Sequence, residues 1–300
     1  LILAAACWGL ATVISKGVLG YFPPLTLLVI QLTVSASFLW AIVAGQRRHV
    51  PISKRNFQLG LIGVLNPGLA YTFSLIGLTL TTASMSTLIW AAEPILILGL
   101  AWLILCERLT RPLIAFSVVA IIGVFLVAGI DLDAGRHASV LGNVLTLIGV
   151  GCCALYTVLT RRVVANADPI VLVALQQTFA LAWALMIWPI EWSRGELANL
   201  TAVSLPVWLL AVASGIIYYG LAFWFYITGL KRASASLAGL FLNLIPIFGV
   251  GGAYLFLGER LTIVQWLGAI LILTAVVGAL RLGRVEPIPV SNLQLPASDL

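Results

Sequence analysis

The sequence predicts an all-α membrane protein, with ten transmembrane helices arranged as two inverted five-helix repeats. Three observations predict it: a composition suited to lipid, ten apolar runs whose flanking charges alternate from loop to loop, and a long internal repeat. Of 300 residues, 62% are hydrophobic and 9% are charged, where an ordinary soluble domain carries roughly 25% charged residues.

A hydrocarbon core of about 30 Å takes roughly 20 apolar residues at a helical rise of about 1.5 Å each. Runs of that kind fall at residues 1–20, 24–45, 57–79, 83–105, 112–130, 139–160, 169–190, 205–229, 233–257 and 263–281. The connections between them are too short for a soluble domain. The first run is not expected to be a cleaved signal peptide: it holds Lys16, lacks a basic leader and is followed at once by another span. Its start at Leu1 points to a truncated terminus. Residues 285–300 contain Pro287, Pro289 and Pro296 with little periodicity and are expected to form a flexible tail.

The ten-run reading places Arg47, Arg48, Lys54, Arg55, Arg108, Arg111, Arg161, Arg162, Lys231, Arg232, Arg281 and Arg284 on one side, and only Arg136, Arg194 and Arg260 on the other. That asymmetry puts both termini in the cytoplasm, in a plasma membrane such as the bacterial inner membrane. The net charge of +6 therefore reflects topology and not a nucleic-acid partner. Cys7, Cys106, Cys152 and Cys153 lack metal-ligand spacing and read as packing residues.

A shift of 152 residues aligns 77–110 with 229–262 without a gap, and 15 of the 34 positions are identical. Among them are Ala83-Ser84 with Ala235-Ser236, Pro94-Ile95 with Pro246-Ile247, and Glu107-Arg108-Leu109-Thr110 with Glu259-Arg260-Leu261-Thr262. Five spans separate a residue from its copy, and an odd number turns the copy over in the membrane. The repeats are thus residues 1–130 and the inverted 139–281. Inverted repeats underlie alternating access in carriers, although some channels share them.

The Trp8-Gly9 opening of span 1, the mid-span prolines of spans 4 and 9, and the Glu-Arg-Leu-Thr ending of each resemble the EamA-type family of the drug/metabolite transporter superfamily. The resemblance runs from Trp8 to about Arg281. It implies a ten-helix bundle around a central cavity and export of amino acids or related metabolites. Length and aromatic richness look closest to the aromatic and neutral amino-acid exporters. The expected partners of this chain are a small-molecule substrate, the lipid bilayer and protons, and it is expected to act as a monomer.

Pro94 and Pro246 interrupt corresponding spans, which in transporters points to the central site and its bending points. Each deprives the carbonyl four residues earlier, of Trp90 or Leu242, of its helical partner; the plainer reading is a kink that bows the helix. Glu93 is the one acid deep inside a span, eleven positions into span 4 and about 15 Å from its end. A carboxylate there marks a site for a substrate ammonium or a proton, unless it is a protonated group bonded to a neighbouring helix. Lys16 either snorkels to the headgroups or faces the cavity, where it would pair with Glu93 or a substrate carboxylate.

Helical spacing puts Ser86, Trp90 and Glu93 on one face, and Thr12 with Lys16 on another. Tyr71, Tyr156, Trp183, Tyr218 and Trp224 stand away from the span ends, where rings can stack on an apolar substrate or bind a cation, or simply pack. Asn66 directly precedes Pro67 and Asn243 lies one turn before Pro246, which makes both candidate ligands, while Gln31, Gln176 and Gln177 read as interhelical bonding. Glu107 and Glu259 read as structural, fixing loop backbone amides.

No histidine or aspartate lies in a span, which removes intramembrane serine–histidine and aspartyl chemistry, and no glycine-rich phosphate loop precedes Lys-Ser or Lys-Thr. The chain is expected to be no enzyme, to use no metal or cofactor, and to transport by facilitation or ion coupling. Lys16 as the sole basic group in a span disfavours polyphosphorylated substrates. A proton-coupled exporter of cationic drugs is the rival reading, and a channel or sensor the rival from another class.

Overall fold

Apolar runs punctuated by proline, glycine and capping residues fold as helices, and a computed structural model describes residues 1–18, 20–80, 89–90, 92–128, 140–193, 203–257 and 262–282. Every regular element among them is helical: α1 (Ile2–Val18), α2 (Pro24–Gly45), α3 (Lys54–Gly63), α4 (Ala70–Leu80), α5 (Glu93–Leu105), α6 (Arg111–Ala128), α7 (Val140–Val164), α8 (Pro169–Ile187), α9 (Pro189–Ser193), α10 (Leu205–Ser214), α11 (Ala222–Leu230), α12 (Ala235–Leu242), α13 (Ile245–Leu257) and α14 (Ile263–Leu282). Val64–Leu69 links α3 to α4, and Gly215–Leu221 joins α10 to α11 through wide, π-type turns. Six stretches are long and apolar enough to cross a membrane: Pro24–Gly45, Lys54–Gly77, Val140–Val164, Pro169–Glu191, Leu205–Leu230 and Ile263–Arg281. Large apolar side chains such as Trp102, Leu103, Leu209 and Trp266 face outward, as lipid requires. The chain is an all-α membrane protein.

Starts are chemically marked. Ser53 accepts from the Asn56 amide (3.2 Å), Asp168 from that of Ile170 (3.2 Å) and Ser234 from that of Leu237 (3.1 Å), each satisfying a first-turn N–H without an intrahelical acceptor. Prolines 24, 169 and 206 stand in first turns, where no N–H is needed. Cys106 ends α5 in the left-handed region (φ 52°).

Small residues let backbones meet. A Cβ on Gly9 would lie 2.6 Å from the Ile245 carbonyl oxygen, one on Gly77 2.8 Å from that of Gly142, and one on Gly215 2.9 Å from that of Gln31. Gly123 and Gly268 meet reciprocally, at 2.7 and 2.6 Å from each other's carbonyl oxygen. Such close crossings are how helices associate in lipid, where burial supplies no driving force between apolar surfaces. They set the pairings α1 with α13, α4 with α7, α2 with Gly215–Leu221 and α6 with α14; α8 lies on both α2 and α3, and α5 on both α7 and α12.

At one end, basic side chains gather on the turn after Val164. Arg48 pairs with Asp168, Arg55 donates to the Asn166 carbonyl (2.8 Å) and Lys231 to that of Ala167 (2.9 Å). We call this the basic face. At the other end Glu191 closes the start of α2. Its Oε1 accepts from the Leu25 amide (2.6 Å), and its Oε2 accepts from the amide and hydroxyl of Thr26 (2.8 Å each). An anion at a helix N-terminus also meets the positive end of the helix dipole.

Two expectations need correction. Span 3 is not one uninterrupted helix: Asn66 takes an extended conformation (φ −150°, ψ 121°) ahead of Pro67, whose ring supplies no N–H to carry the helix on. Nor do Pro94 and Pro246 kink continuous helices. Each is the second residue of a separate helix, α5 or α13, and the chain turns at Ala92 before the first and at Asn243-Leu244 before the second. The side chains of Thr12 and Lys16, all of Ser86, the Glu259-Arg260 pair and the tail 285–300 lie outside the described residues.

Candidate functional site

Glu93 opens α5, where helix polarity favours a negative charge. The preceding turn is closed by the Ala92 amide donating to the Ile89 carbonyl (3.0 Å). Pro94 follows at the position that costs a helix no hydrogen bond. Glu93 is half-buried and lies within electrostatic reach of the Cys153 thiol on α7 and the Tyr226 hydroxyl on α11. Among the described residues it makes no ion pair.

A column of aromatic rings runs beside it. Trp90 and Tyr71 have centroids 6.3 Å apart, and Tyr71 meets Tyr219 edge-on at 5.3 Å and donates a hydroxyl hydrogen bond to Tyr218 (3.1 Å). Tyr219 lies nearly parallel to Phe223 at 6.2 Å. Phe223 in turn meets Trp8 at 5.3 Å and Tyr156 at 6.0 Å, and Trp8 meets Tyr226 at 5.3 Å. Tyr219, Phe223 and Tyr226 share a face because they stand four and three residues apart on a helix. The interruptions of α3–α4 and α10–α11 flank the column; a 152-residue shift carries Val64–Leu69 onto 216–221. The wide helical turn at Gly215–Leu221 is of a kind that recurs at functional sites, whereas at Val64–Leu69 the helix breaks at the extended Asn66.

Amides and hydroxyls brace the column from behind. Tyr156 donates to Gln176 Oε1 (2.8 Å), Gln176 Nε2 to Thr160 (3.4 Å) and Gln177 Nε2 to the Tyr219 carbonyl (3.1 Å), while Thr157 and Tyr226 share a hydrogen bond of 3.3 Å. Gln31 donates to Ser214 (2.7 Å) and Ser15 (3.3 Å). Buried polar side chains paired in this way fix ring positions and leave few groups without partners.

Of the residues singled out in the sequence, the structure brings together Trp90, Tyr71, Tyr218 and Tyr156, with Glu93 alongside. Trp90 and Glu93 do so across the turn at Ala92, not through the spacing of one continuous helix. Trp183 stands apart from those rings: its indole donates to Thr72 (3.2 Å), beside Gly68. Trp224 stacks on its neighbour Phe225 (6.0 Å). Asn243 caps α12, its Nδ2 donating to the Leu240 carbonyl (3.0 Å). Asn66 is buried at the interruption, its Oδ1 without a hydrogen-bond partner among the described residues. Sequence reasoning missed Tyr219, Phe223, Tyr226 and Trp8 as members of the column. The helical spacing of the first three was the available signal.

Aromatic faces and edges beside one carboxylate suit an organic ammonium group carrying an apolar or aromatic body. Comparison with known proteins agrees with a transport role. The EamA-like transporter family matches residues 1–129 and 140–281. The chain is 29% identical over 277 residues to an "Uncharacterized transporter" of Bacillus subtilis, covering 90% of this chain and 86% of that one. It is 27% identical to a "Probable amino-acid metabolite efflux pump" of Escherichia coli, with 91% of both chains covered. A protein of known crystal structure superposes with a TM-score of 0.77 at 21% identity, over 95% of this chain and 96% of the other, a likeness of fold alone. With nearly the whole chain matched in two stretches, this protein belongs to the EamA-like transporter family.

Proposed function

We propose that the chain is a secondary transporter that exports amine-bearing metabolites, foremost aromatic and neutral amino acids, by alternating access of two inverted five-span halves, 1–130 and 139–281. The observation that carries the substrate reading is Glu93, placed at a helix start three residues after Trp90 and within electrostatic reach of Tyr226, both members of the aromatic column. In this reading Glu93 binds the substrate ammonium, while Trp90, Tyr71 and Tyr218 pack its body. Thr12, Lys16, Ser86, Asn66, Tyr156, Trp183, Trp224 and Asn243 complete or support the pathway, and the chain turns ahead of Pro94 and Pro246 act as hinges. Relatives named amino-acid metabolite efflux pumps, in Escherichia coli and Salmonella typhimurium at 27% identity, favour the same substrate class.

Inversion is supported by packing that repeats when the halves are exchanged. The second span lies on the eighth as the seventh lies on the third, and the sixth lies on the third and fourth as the first lies on the eighth and ninth. A 145-residue shift carries Pro24 onto Pro169 and Gln31 onto Gln176, and these two glutamines lie against Gly215 and Gly63 respectively. The basic face is the cytoplasmic one by charge asymmetry, in a bacterial plasma membrane, and the transporter acts as a monomer. Single cysteines at Tyr21 and Gln46, which flank α2, should react with an impermeant reagent from opposite sides. Reaction from one side would overturn the topology.

Counterflow in proteoliposomes tests the substrate. Labelled aromatic and neutral amino acids are expected to exchange saturably, and lipophilic cations not to. The reverse result would establish the rival reading, a proton-coupled exporter of cations that uses the same Glu93 carboxylate as cation site and proton carrier. Flux that fails to saturate would indicate a channel.

A further inference from the structure

The doubled Glu-Arg-Leu-Thr and Ala-Ser motifs gain a physical meaning at the basic face. Glu107, just past the end of α5, is buried, and both its oxygens are engaged by the start of α12. Oε1 accepts from the Ala235 amide (2.7 Å); Oε2 accepts from the Ser236 amide (3.1 Å) and hydroxyl (2.6 Å). Arg161 on α7 stands within electrostatic reach. The donors are those of Leu25 and Thr26 on Glu191 repeated: two successive amides and one hydroxyl. What differs is the helices that are joined. Glu191, in the short α9 that follows α8 after a turn at Trp188, ties the start of α2 at the end opposite the basic face, whereas Glu107 ties α5 and α12, the helices bordering the turns of the two proline-bearing spans.

We infer that the Glu107 carboxylate is the latch of the cytoplasmic gate: it holds the ends of spans 4 and 9 together and lets go when the carrier opens inward. The mechanics follow from α12. It is eight residues long, about 12 Å, held at Ala235-Ser236, packed on α5 through Gly239 against Ile97, and bounded at its other end by the turn at Asn243-Leu244, about which it would pivot on opening. Freed from Glu107, its first-turn amides would face the aqueous side, where water replaces the carboxylate. The latch has two discrete states, as a gate needs.

This inference rests on the alternating-access reading, and one experiment separates the two. In a C7S/C106S/C152S background, the buried Cys153 near Glu93 reports inward opening through its reaction with an impermeant maleimide applied from the cytoplasmic side. Glu107→Gln is expected to speed that reaction about tenfold, the population shift produced by weakening a charge-assisted bond of the closed state. Ser236→Ala should act in the same direction and less. Glu191→Gln should lower the melting temperature and leave Cys153 reactivity alone. Unchanged Cys153 reactivity in a folded Glu107→Gln or Ser236→Ala variant, or equal effects of the Glu107 and Glu191 substitutions, would overturn the latch. Cys153 that never reacts in the parent background, with or without transported amino acid, would instead overturn alternating access.

Discussion

Glu93→Gln is expected to raise the half-saturation concentration for an amine-bearing substrate about tenfold to hundredfold, with expression and helicity preserved. The glutamine keeps the shape of the side chain and removes its charge. Losing one charge-assisted hydrogen bond in a partly hydrated site costs about 1.5–3 kcal/mol, which sets that range. A maximal rate that is kept while affinity falls would identify Glu93 as an ammonium ligand. If Glu93 instead carries a proton, the same variant loses uptake driven by a pH gradient and retains substrate-for-substrate exchange, because exchange moves no net proton. Both assays run in one preparation of proteoliposomes. Wild-type behaviour in both across pH 5 to 9 would assign the carboxylate to helix capping and leave recognition to the tyrosines and Trp90.

Gly63→Ala is expected to be the most damaging glycine-to-alanine substitution among the described residues. A Cβ at Gly63 would be driven into the backbone carbonyl of Gln176, and backbone cannot turn aside as a flexible side chain can. The same helix face carries Gly60, against Phe179, so α3 cannot simply roll on α8. Overpacking at such a contact costs about 1–3 kcal/mol or more, against at most about 1 kcal/mol gained from alanine's better helix propensity. Gly215→Ala, with 2.9 Å to the Gln31 carbonyl oxygen, should hurt less. Gly99→Ala, on an exposed face with nothing within 4 Å, should be neutral or slightly stabilising. Melting temperatures in detergent should therefore rank Gly99→Ala above Gly215→Ala above Gly63→Ala. Any other order would mean that the spans are not packed as described.

Membrane character was legible because lipid imposes it on composition, residue by residue. The partnership of Glu107 with backbone amides was legible as well, since a buried carboxylate at a helix end has little else to do; that the amides belong to the start of α12 rather than to a nearby loop was not. The prolines illustrate a limit. Pro94 and Pro246 announce that a helix is disturbed, but a kink and a restart share the same missing N–H, and only the chain turns at Ala92 and Asn243-Leu244 distinguish them. For the aromatic residues the difficulty was their number: Tyr71 and Trp224 look equally available on a helical wheel, yet one meets Tyr218, Tyr219 and Trp90 while the other stacks on its own neighbour. Which rings converge depends on how the start of α4 meets the wide turn Gly215–Leu221, and no single helix encodes that.

The clamp between Glu107 and α12 places unequal demands on its two sides over evolutionary time. Two of its three donors are main-chain amides, which every residue but proline provides, so at position 235 only full burial limits the side chain, and position 236 needs only a small or hydroxylated one. Position 107 has no such freedom: aspartate is one methylene too short to span both amides, and glutamine offers a donor where an acceptor is required. The lineage of this protein can rewrite one partner gradually, provided that it leaves the other untouched.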